Sequence, residues 1–354
     1  MLTPSINSDL WYYFDLSRKM VSGLLPYVEF RFEYPPLAIL PIWIPGLFKS
    51  QVEGYVSLYR FILCTFDLAF LFFFHHRFSL DPHYKRFILL SSLISILLAP
   101  LLYDRLDFLF GLILFATAYF ANEKGLFWAL LGIPFKLISA IFVPFYVVSF
   151  FQQRNFNPKN FLKYCALPLG ILLIMILALF QLKFLDFLSY HHSRGIQIES
   201  TWASLHYLLQ LMANSKMEIE YSFGAQHIKQ VPGWIFMLAN YLVIAFLALL
   251  LLIFTLKRNP LPEVFVTALL VFLCFSKVLS PQFLIWLIPL IFFFIDKKIQ
   301  LIFFVIIAAL SGYVFIHYGE LMAQEAWAWW CINLRNGLLI SWVTLRFRGH
   351  ILAS

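Results

Sequence analysis

Charge is what this chain has least of. Asp, Glu, Lys and Arg make up 12% of its 354 residues, roughly half the share of an ordinary soluble domain. So few charges cannot cover a water-facing surface, which excludes a soluble enzyme. A disordered chain needs more charge and less apolar residue than this. Glycine numbers 14, too few for a collagen-like repeat. The four cysteines, Cys64, Cys165, Cys274 and Cys331, lie in or beside apolar runs with no CxxC or CxxH spacing. They read as small packing residues and not as a disulfide framework or metal site. A Gly-rich phosphate loop, HExxH, GxSxG and a DxD-like pair in a cytoplasmic loop are also absent. Their absence disfavours nucleotide-sugar chemistry on the inner face. No cofactor and no metal are expected. No internal repeat, low-complexity tract or linker interrupts the chain, so residues 1–354 read as one membrane domain. Residues 1–33 lack an apolar h-region, so no cleavable signal peptide is expected.

What is present is apolar: residues of the AVILMFWYC set reach 62%. The solvent for most of such a chain is lipid. Lys and Arg exceed Asp and Glu by 26 to 18, a net +8, in short clusters between apolar runs. That is the distribution of a polytopic membrane protein, and no nucleic-acid partner is expected. The runs place spans near 53–74, 87–101, 107–121, 164–181, 234–256, 261–275, 283–295, 299–317 and 328–345. Several fall short of the ~20 residues that cross a bilayer at right angles, a length tolerated inside a bundle. Segment 126–150, broken around Pro134 and Lys136, reads as two short helices going in and out. Segment 37–49, with Pro41, Pro45 and Gly46, reads as an interfacial helix.

Loops 75–86, 122–125, 152–163, 257–259, 296–298 and 346–350 hold 13 Lys/Arg against three acids, which makes them cytoplasmic. The outer face then carries two long loops, 1–52 and 182–233. Loops of that length are usually functional or disordered. The first mixes Trp11, Tyr12 and Tyr13 with Asp9, Asp15, Glu29, Glu33 and Tyr34. The second holds His191, His192, Arg194, Glu199, Trp202 and His206. Aromatic faces beside carboxylates suit a sugar site, and an interfacial aromatic belt is the structural alternative. Ionisable residues in apolar runs are costly in lipid and therefore informative. Asp67 and Arg60 lie within one span. Arg105, Lys136 and Lys277 each mark an outer junction, a set that suits an anionic group such as phosphate. Pairing of each cation with a nearby acid, as of Arg105 with Asp107, is the alternative.

From Asp9 to Pro36 the chain reads DLWYYFDLSRKMVSGLLPYVEFRFEYPP. Four blocks follow in order: YDRLD (Tyr103–Asp107), LLGIPFKLISAIFVP (Leu130–Pro144), YHHSRGIQIESTWASL (Tyr190–Leu205) and KVLSPQFLIWLIPL (Lys277–Leu290). Together they resemble bacterial glycosyltransferase family 87. The resemblance implies an all-α, polytopic membrane bundle of GT-C type with about nine to twelve membrane helices. It implies a hexosyltransferase that takes a sugar, often mannose, from a polyprenyl-phosphate donor. The acceptor would be a lipid-linked or cell-envelope glycan on the outer face of the bacterial plasma membrane, usually with inversion. Membrane lipids are the other expected partners.

Asp9 matches the family's acidic position and would be the general base. Asp15 and Glu33 are alternative bases, and helix capping is an alternative role for Asp9. His191 or His192 with Arg194 would hold or protonate the donor phosphate, with Arg105, Lys136 and Lys277 as further cations. Glu33, Tyr34, Gln197, Glu199 and Gln282 would contact sugar or acceptor or order the loops. Family members carry a membrane helix just before this Asp. The resemblance therefore implies that the helix is missing here, by truncation or a mis-set start. The rival reading is a transporter or flippase for a lipid-linked sugar, though inverted repeats are not seen.

Overall fold

The structure, a computed structural model, describes residues 9–154 and 156–352. It is 76% helical. Helix α1 (Asp9–Val21) and α2 (Ile39–Phe48) precede the long α3 (Val52–Phe78). Then come α4 (Tyr84–Leu97), the single turn α5 (Ala99–Leu102), α6 (Asp107–Tyr119) and α7 (Glu123–Gly132). A 3-10 stretch, Leu137–Phe142, leads into α8 (Val143–Gln153). Helix α9 (Pro158–Phe161) joins α10 (Leu167–Phe180) through a π-turn at Leu162–Ala166. Next are α11 (Asp186–His192), β1 (Ile196–Gln197), α12 (Thr201–Met212), β2 (Ile219–Ser222) and β3 (Ala225–Ile228). The remainder holds α13 (Gly233–Lys257), α14 (Leu261–Phe275), α15 (Lys298–Ile316), the short α16 (Tyr318–Met322) and α17 (Ala326–Leu352).

Four helical segments among the described residues are long and apolar enough to cross a membrane: Val52–Phe78, Pro158–Phe180, Gly233–Lys257 and Lys298–Ile316. In the first three, between 11% and 17% of the most apolar window is buried. Apolar helices that leave so much surface uncovered need lipid around them. The shorter α14 is the reverse case, buried from Val264 to Val271 without interruption, as a sub-membrane-length helix inside a bundle must be. Segment 126–150 is two short helical pieces, α7 and Leu137–Gln153, parted at Ile133–Lys136.

One expectation is corrected. Residues 283–295 are not one helix but two 3-10 stretches, Pro281–Leu287 and Pro289–Phe294. Each starts on a proline, which lacks a backbone donor and interrupts α-helical bonding. Such backbone is tolerated at depth when protein covers it, and Phe283 to Leu290 is buried throughout. The mostly helical chain is compatible with an all-α bundle; residues 182–233 add a small three-stranded antiparallel sheet in the order β1-β3-β2. The β2–β3 turn, Phe223-Gly224, has φ of +50° and +70°, both in the left-handed region that two-residue hairpins use.

The chain forms two compact units, each drawn from separated segments. The first comprises Met1–Lys85, Pro100–Tyr146 and Gln153–His192. The second comprises Arg86–Ala99, Val147–Gln152 and Ser193–Ser354.

In the first unit, α1 buries Leu10, Tyr13, Leu16, Ser17 and Met20, the three-to-four-residue spacing of one helix face. That face packs on α2, where Gly46 lets Ser17 approach its backbone: a Cβ at Gly46 would meet Ser17 Oγ at 1.8 Å. Pro168 cannot donate to the carbonyl four residues earlier, at Tyr164. The π-turn at Leu162–Ala166 absorbs this without breaking the helix.

In the second unit, α14 and α17 lie at the centre, joined by polar contacts at one end. Arg346 donates from Nε to Thr267 Oγ1 (3.0 Å), and His350 Nε2 meets the same hydroxyl at 2.7 Å. Trp202, Tyr207, Trp329 and Ile332 form an apolar core beneath the sheet.

Candidate functional site

The first unit gathers acids and cations from three separated stretches. Asp9 opens α1, and its Oδ2 pairs with Arg105 Nη1 from the α5–α6 junction. Asp107, the first residue of α6 and almost wholly buried, accepts from Lys136 Nζ at 2.5 Å. Arg60 grips Asp104 with two bonds, Nε to Oδ1 at 2.7 Å and Nη2 to Oδ2 at 2.9 Å. Leu37 N–H, just past the Tyr34-Pro35-Pro36 turn, donates to Pro134 O at 2.7 Å. The break between the paired short helices is thus tied to the first loop.

Arg105 and Lys136 each have an acid partner, and the partner of Arg105 is Asp9 where Asp107 was anticipated. Burial draws the Arg105 guanidinium down to about 10, with Asp107 opposing the fall, so it stays cationic at neutral pH. A buried guanidinium held against a carboxylate favours its ionised form. Asp9 keeps 30% of its side chain exposed and so remains reachable.

The alternative acids have other settings. Asp15 forms an exposed pair with Lys19, four residues on in α1, at 2.7 Å. Glu33 is half-buried. Tyr34 sets its ring edge-on to the buried Tyr13, centroids 5.7 Å apart. Burial, then Tyr34, Tyr59 and Asp107, raises the Tyr13 phenol well above its usual value, so it acts as a neutral hydroxyl. His191, at the end of α11, packs edge-on to Phe187 and Tyr190. Arg31 covers the other ring of that group, with its guanidinium carbon 4.8 Å from the Tyr190 centroid. The His192 side chain lies outside the described residues.

Arg194, Gln197, Glu199, Lys277 and Gln282 belong to the second unit. Gln197 N–H donates to Lys277 O at 3.0 Å, which brings two of the separated blocks together. Arg194 Nη2 donates to Phe223 O at 2.8 Å in the hairpin turn. Burial and then Arg194 lower the Lys277 ammonium, and its Nζ stands 5.1 Å from the Phe236 ring centroid. Beside them is His227, which the sequence reading did not single out. Its ring lies against Gly195, its Nδ1 meets Ser222 Oγ at 3.0 Å, and its buried Nε2 has no partner. Burial first, then Arg194, holds this imidazole down to about 4. It is neutral at pH 7.

Near these groups is a cleft of about 480 Å³ whose lining includes Gly195, Ile196, Phe236, Met237, Asn240 and Tyr241; Lys277 meets it through the Phe236 ring and His227 through Gly195. The lining is mostly apolar and holds no charged side chain, which suits the apolar part of a ligand. Gln282 is half-buried in the 3-10 turn that follows.

Glu199 faces the interior. Its carboxylate accepts from Tyr318 OH at 3.2 Å, and its Oε2 is buried with no partner. Its backbone carbonyl accepts from Arg335 Nη2 and from Asn336 Nδ2. Asn336 also donates to Ser204 Oγ at 2.7 Å. Glu199 thereby orders the start of α12 and touches no open surface.

His227 and Arg335 were the residues missed. Arg335 carries the same signal as Arg60, an ionisable residue inside an apolar run. His227 would have needed the hairpin, and Phe-Gly is not a strong turn signal.

The chain matches no family model, no curated protein and no solved structure.

Proposed function

We propose that this chain is a membrane glycosyltransferase of GT-C type that moves a sugar, mannose being the first choice, from a polyprenyl-phosphate carrier to a lipid-linked or cell-envelope glycan. The reaction takes place on the outer face of a bacterial plasma membrane, the side opposite the Lys/Arg-rich loops. One observation carries the reading. Three separated stretches of the chain, around Asp9, Tyr103–Asp107 and Lys136, converge in one charge cluster through Asp9–Arg105 and Asp107–Lys136.

Within the first unit, Asp9 is the base. As the acceptor hydroxyl attacks the anomeric carbon, Asp9 takes its proton. The anomeric C–O bond breaks, and its electron pair departs on the polyprenyl phosphate, with inversion at carbon. One ionised carboxylate is enough for this, unlike the two of a glycosidase. Arg105 holds the Asp9 carboxylate in place through their ion pair. Within the second unit, Arg194 and Lys277, which lie close enough to influence each other, are the cations for the donor phosphate, with the neutral His227 as a hydrogen-bonding side chain.

The test is transfer from labelled polyprenyl-phosphate mannose in membranes that contain the protein. Asp9→Asn, which keeps the shape and removes the proton acceptor, is expected to lower transfer by ~10²-fold or more while donor binding persists. Lys277→Gln is expected to weaken donor binding. Full transfer by Asp9→Asn would remove the assigned base. No transfer from any polyprenyl-phosphate sugar by the folded wild type, together with movement of the donor across the bilayer, would make the protein a lipid-sugar transporter.

A further inference from the structure

The end of the first unit that carries the Lys/Arg-rich loops has a second pocket, of about 380 Å³, formed by α7 and the π-turn before α10. Its walls are Phe120, Phe127, Trp128 and Tyr164, and its charges are Lys124 and Lys163. Both ammonium groups approach the same ring: Lys124 Nζ is 5.3 Å and Lys163 Nζ 5.2 Å from the Tyr164 centroid. No carboxylate lines the pocket. The acid in the same turn, Glu123, is buried, and its Oε1 accepts from Asn157 N–H at 2.8 Å. Two ammonium groups on one ring repel each other, and the ring quadrupole offsets only part of that. A single phosphodiester set between them removes the repulsion.

We infer that this pocket binds the headgroup of an anionic phospholipid of the cytoplasmic leaflet. Three features favour that occupant. The loops beside the pocket add Arg154 and Lys159 to its positive charge, and this end faces the leaflet whose lipids are anionic. Trp128 is half-buried at the rim, the setting of an interfacial tryptophan. From the pocket, Leu162, Leu167, Ile171 and Ile174 run along the segment Pro158–Phe180, each more than half exposed. That stripe gives the acyl chains a lipid-facing track. The π-turn creates the site by turning Lys163 and Tyr164 toward α7, and such turns recur at functional positions.

Native mass spectrometry of the full chain released from detergent tests this, with phosphatidylglycerol and phosphatidylcholine of identical chains as probes. Phosphatidylglycerol is expected to bind more tightly. Lys124→Gln or Lys163→Gln should each weaken it roughly fivefold, and the two together about thirtyfold, with phosphatidylcholine binding unchanged. Both lysines are exposed, and the single variants carry the test should the double variant not fold. The pair Lys216→Gln and Lys229→Gln removes as much charge elsewhere and should leave the preference intact. Equal binding of the two lipids, or a preference that survives Lys124→Gln/Lys163→Gln, would overturn the site. So would an equal loss in the Lys216/Lys229 control, which would mean bulk charge alone. Displacement of phosphatidylglycerol by inorganic phosphate at matched concentration would make free phosphate the ligand and also overturn the lipid assignment.

Discussion

Glu199 lies inside the second unit with one carboxylate oxygen on Tyr318 and the other unpartnered. Burial lifts its carboxyl from the ordinary 4.5 to about 7, against the lowering effects of its own backbone hydrogen bond and of Arg335. Between those values the folded chain holds a proton that the unfolded chain has released. The stability this gives is complete below about pH 4.5 and is lost as pH rises through about 7. In detergent, thermal unfolding should show stability falling by about 3 kcal/mol across that window. Glu199→Gln should flatten the fall, and an unchanged slope in that variant would place the titration elsewhere.

The Asp107–Lys136 pair makes a second residue-scale case. Asp107 is almost wholly buried and Lys136 half-buried. Lys136→Met strands a buried charge and should cost ~3 kcal/mol. Adding Asp107→Asn should recover part of that loss, and a double-mutant cycle of melting curves measures the coupling. The sequence marked Arg105, Lys136 and Lys277 as costly charges because lipid penalises each of them. It could not pair them, because partners such as Arg105 and Asp9 lie 96 positions apart along the chain.

At the scale of elements, the α6–α7 corner depends on one hydroxyl. Tyr146 OH, from α8, donates to Thr117 O and lies 2.6 Å from Phe120 O, two carbonyls at the C-terminal end of α6. Tyr146→Phe should leave buried acceptors unmet and lower stability by about 2 kcal/mol. Gly125 sits under the same corner. A Cβ there would lie 1.8 Å from Phe120 O and 1.9 Å from Tyr146 OH. Gly125→Ala should therefore destabilise at least as much, where an ordinary helix position would gain from the exchange. Equal melting temperatures for wild type and both variants would count against this corner.

Long apolar elements were legible in the sequence: 53–74, 234–256, 261–275 and 299–317 all fall within about four residues of α3, α13, α14 and α15. The paired pieces of 126–150 were legible too, from Pro134 and Lys136. The 3-10 stretches were not, because an apolar run of thirteen residues has the same composition whatever its backbone hydrogen bonding. Nor was the sheet, whose strands run two to four residues, too short for an alternating pattern to register. Of the candidate residues, the sequence placed Gln197 and Glu199 in one block and Lys277 in another. That Glu199 faces inward is a property of α12, α16 and α17 together.

For the whole molecule, orientation rests on the imbalance of Lys and Arg between loops. Lys216 and Lys159 are both exposed, one in each class of loop. With the native cysteines replaced, Lys216→Cys should react with an impermeant maleimide in intact cells, and Lys159→Cys only after permeabilisation. The opposite pattern would invert the protein and move the proposed chemistry to the cytoplasm.

The second unit is assembled from Arg86–Ala99, Val147–Gln152 and everything from Ser193 onward. A ribosome makes these pieces at very different times. At the usual 5–20 residues per second, Ala99 waits about 5–20 s before Ser193 is even polymerised. During that interval the early segment lacks the later neighbours it will pack against. It has to be sheltered by lipid, by the translocon or by provisional contacts, and α17 joins the unit only after the other described elements have been made. A slow stretch of translation after residue 99 would prolong that exposure, while slowing beyond residue 330 would prolong only the final docking.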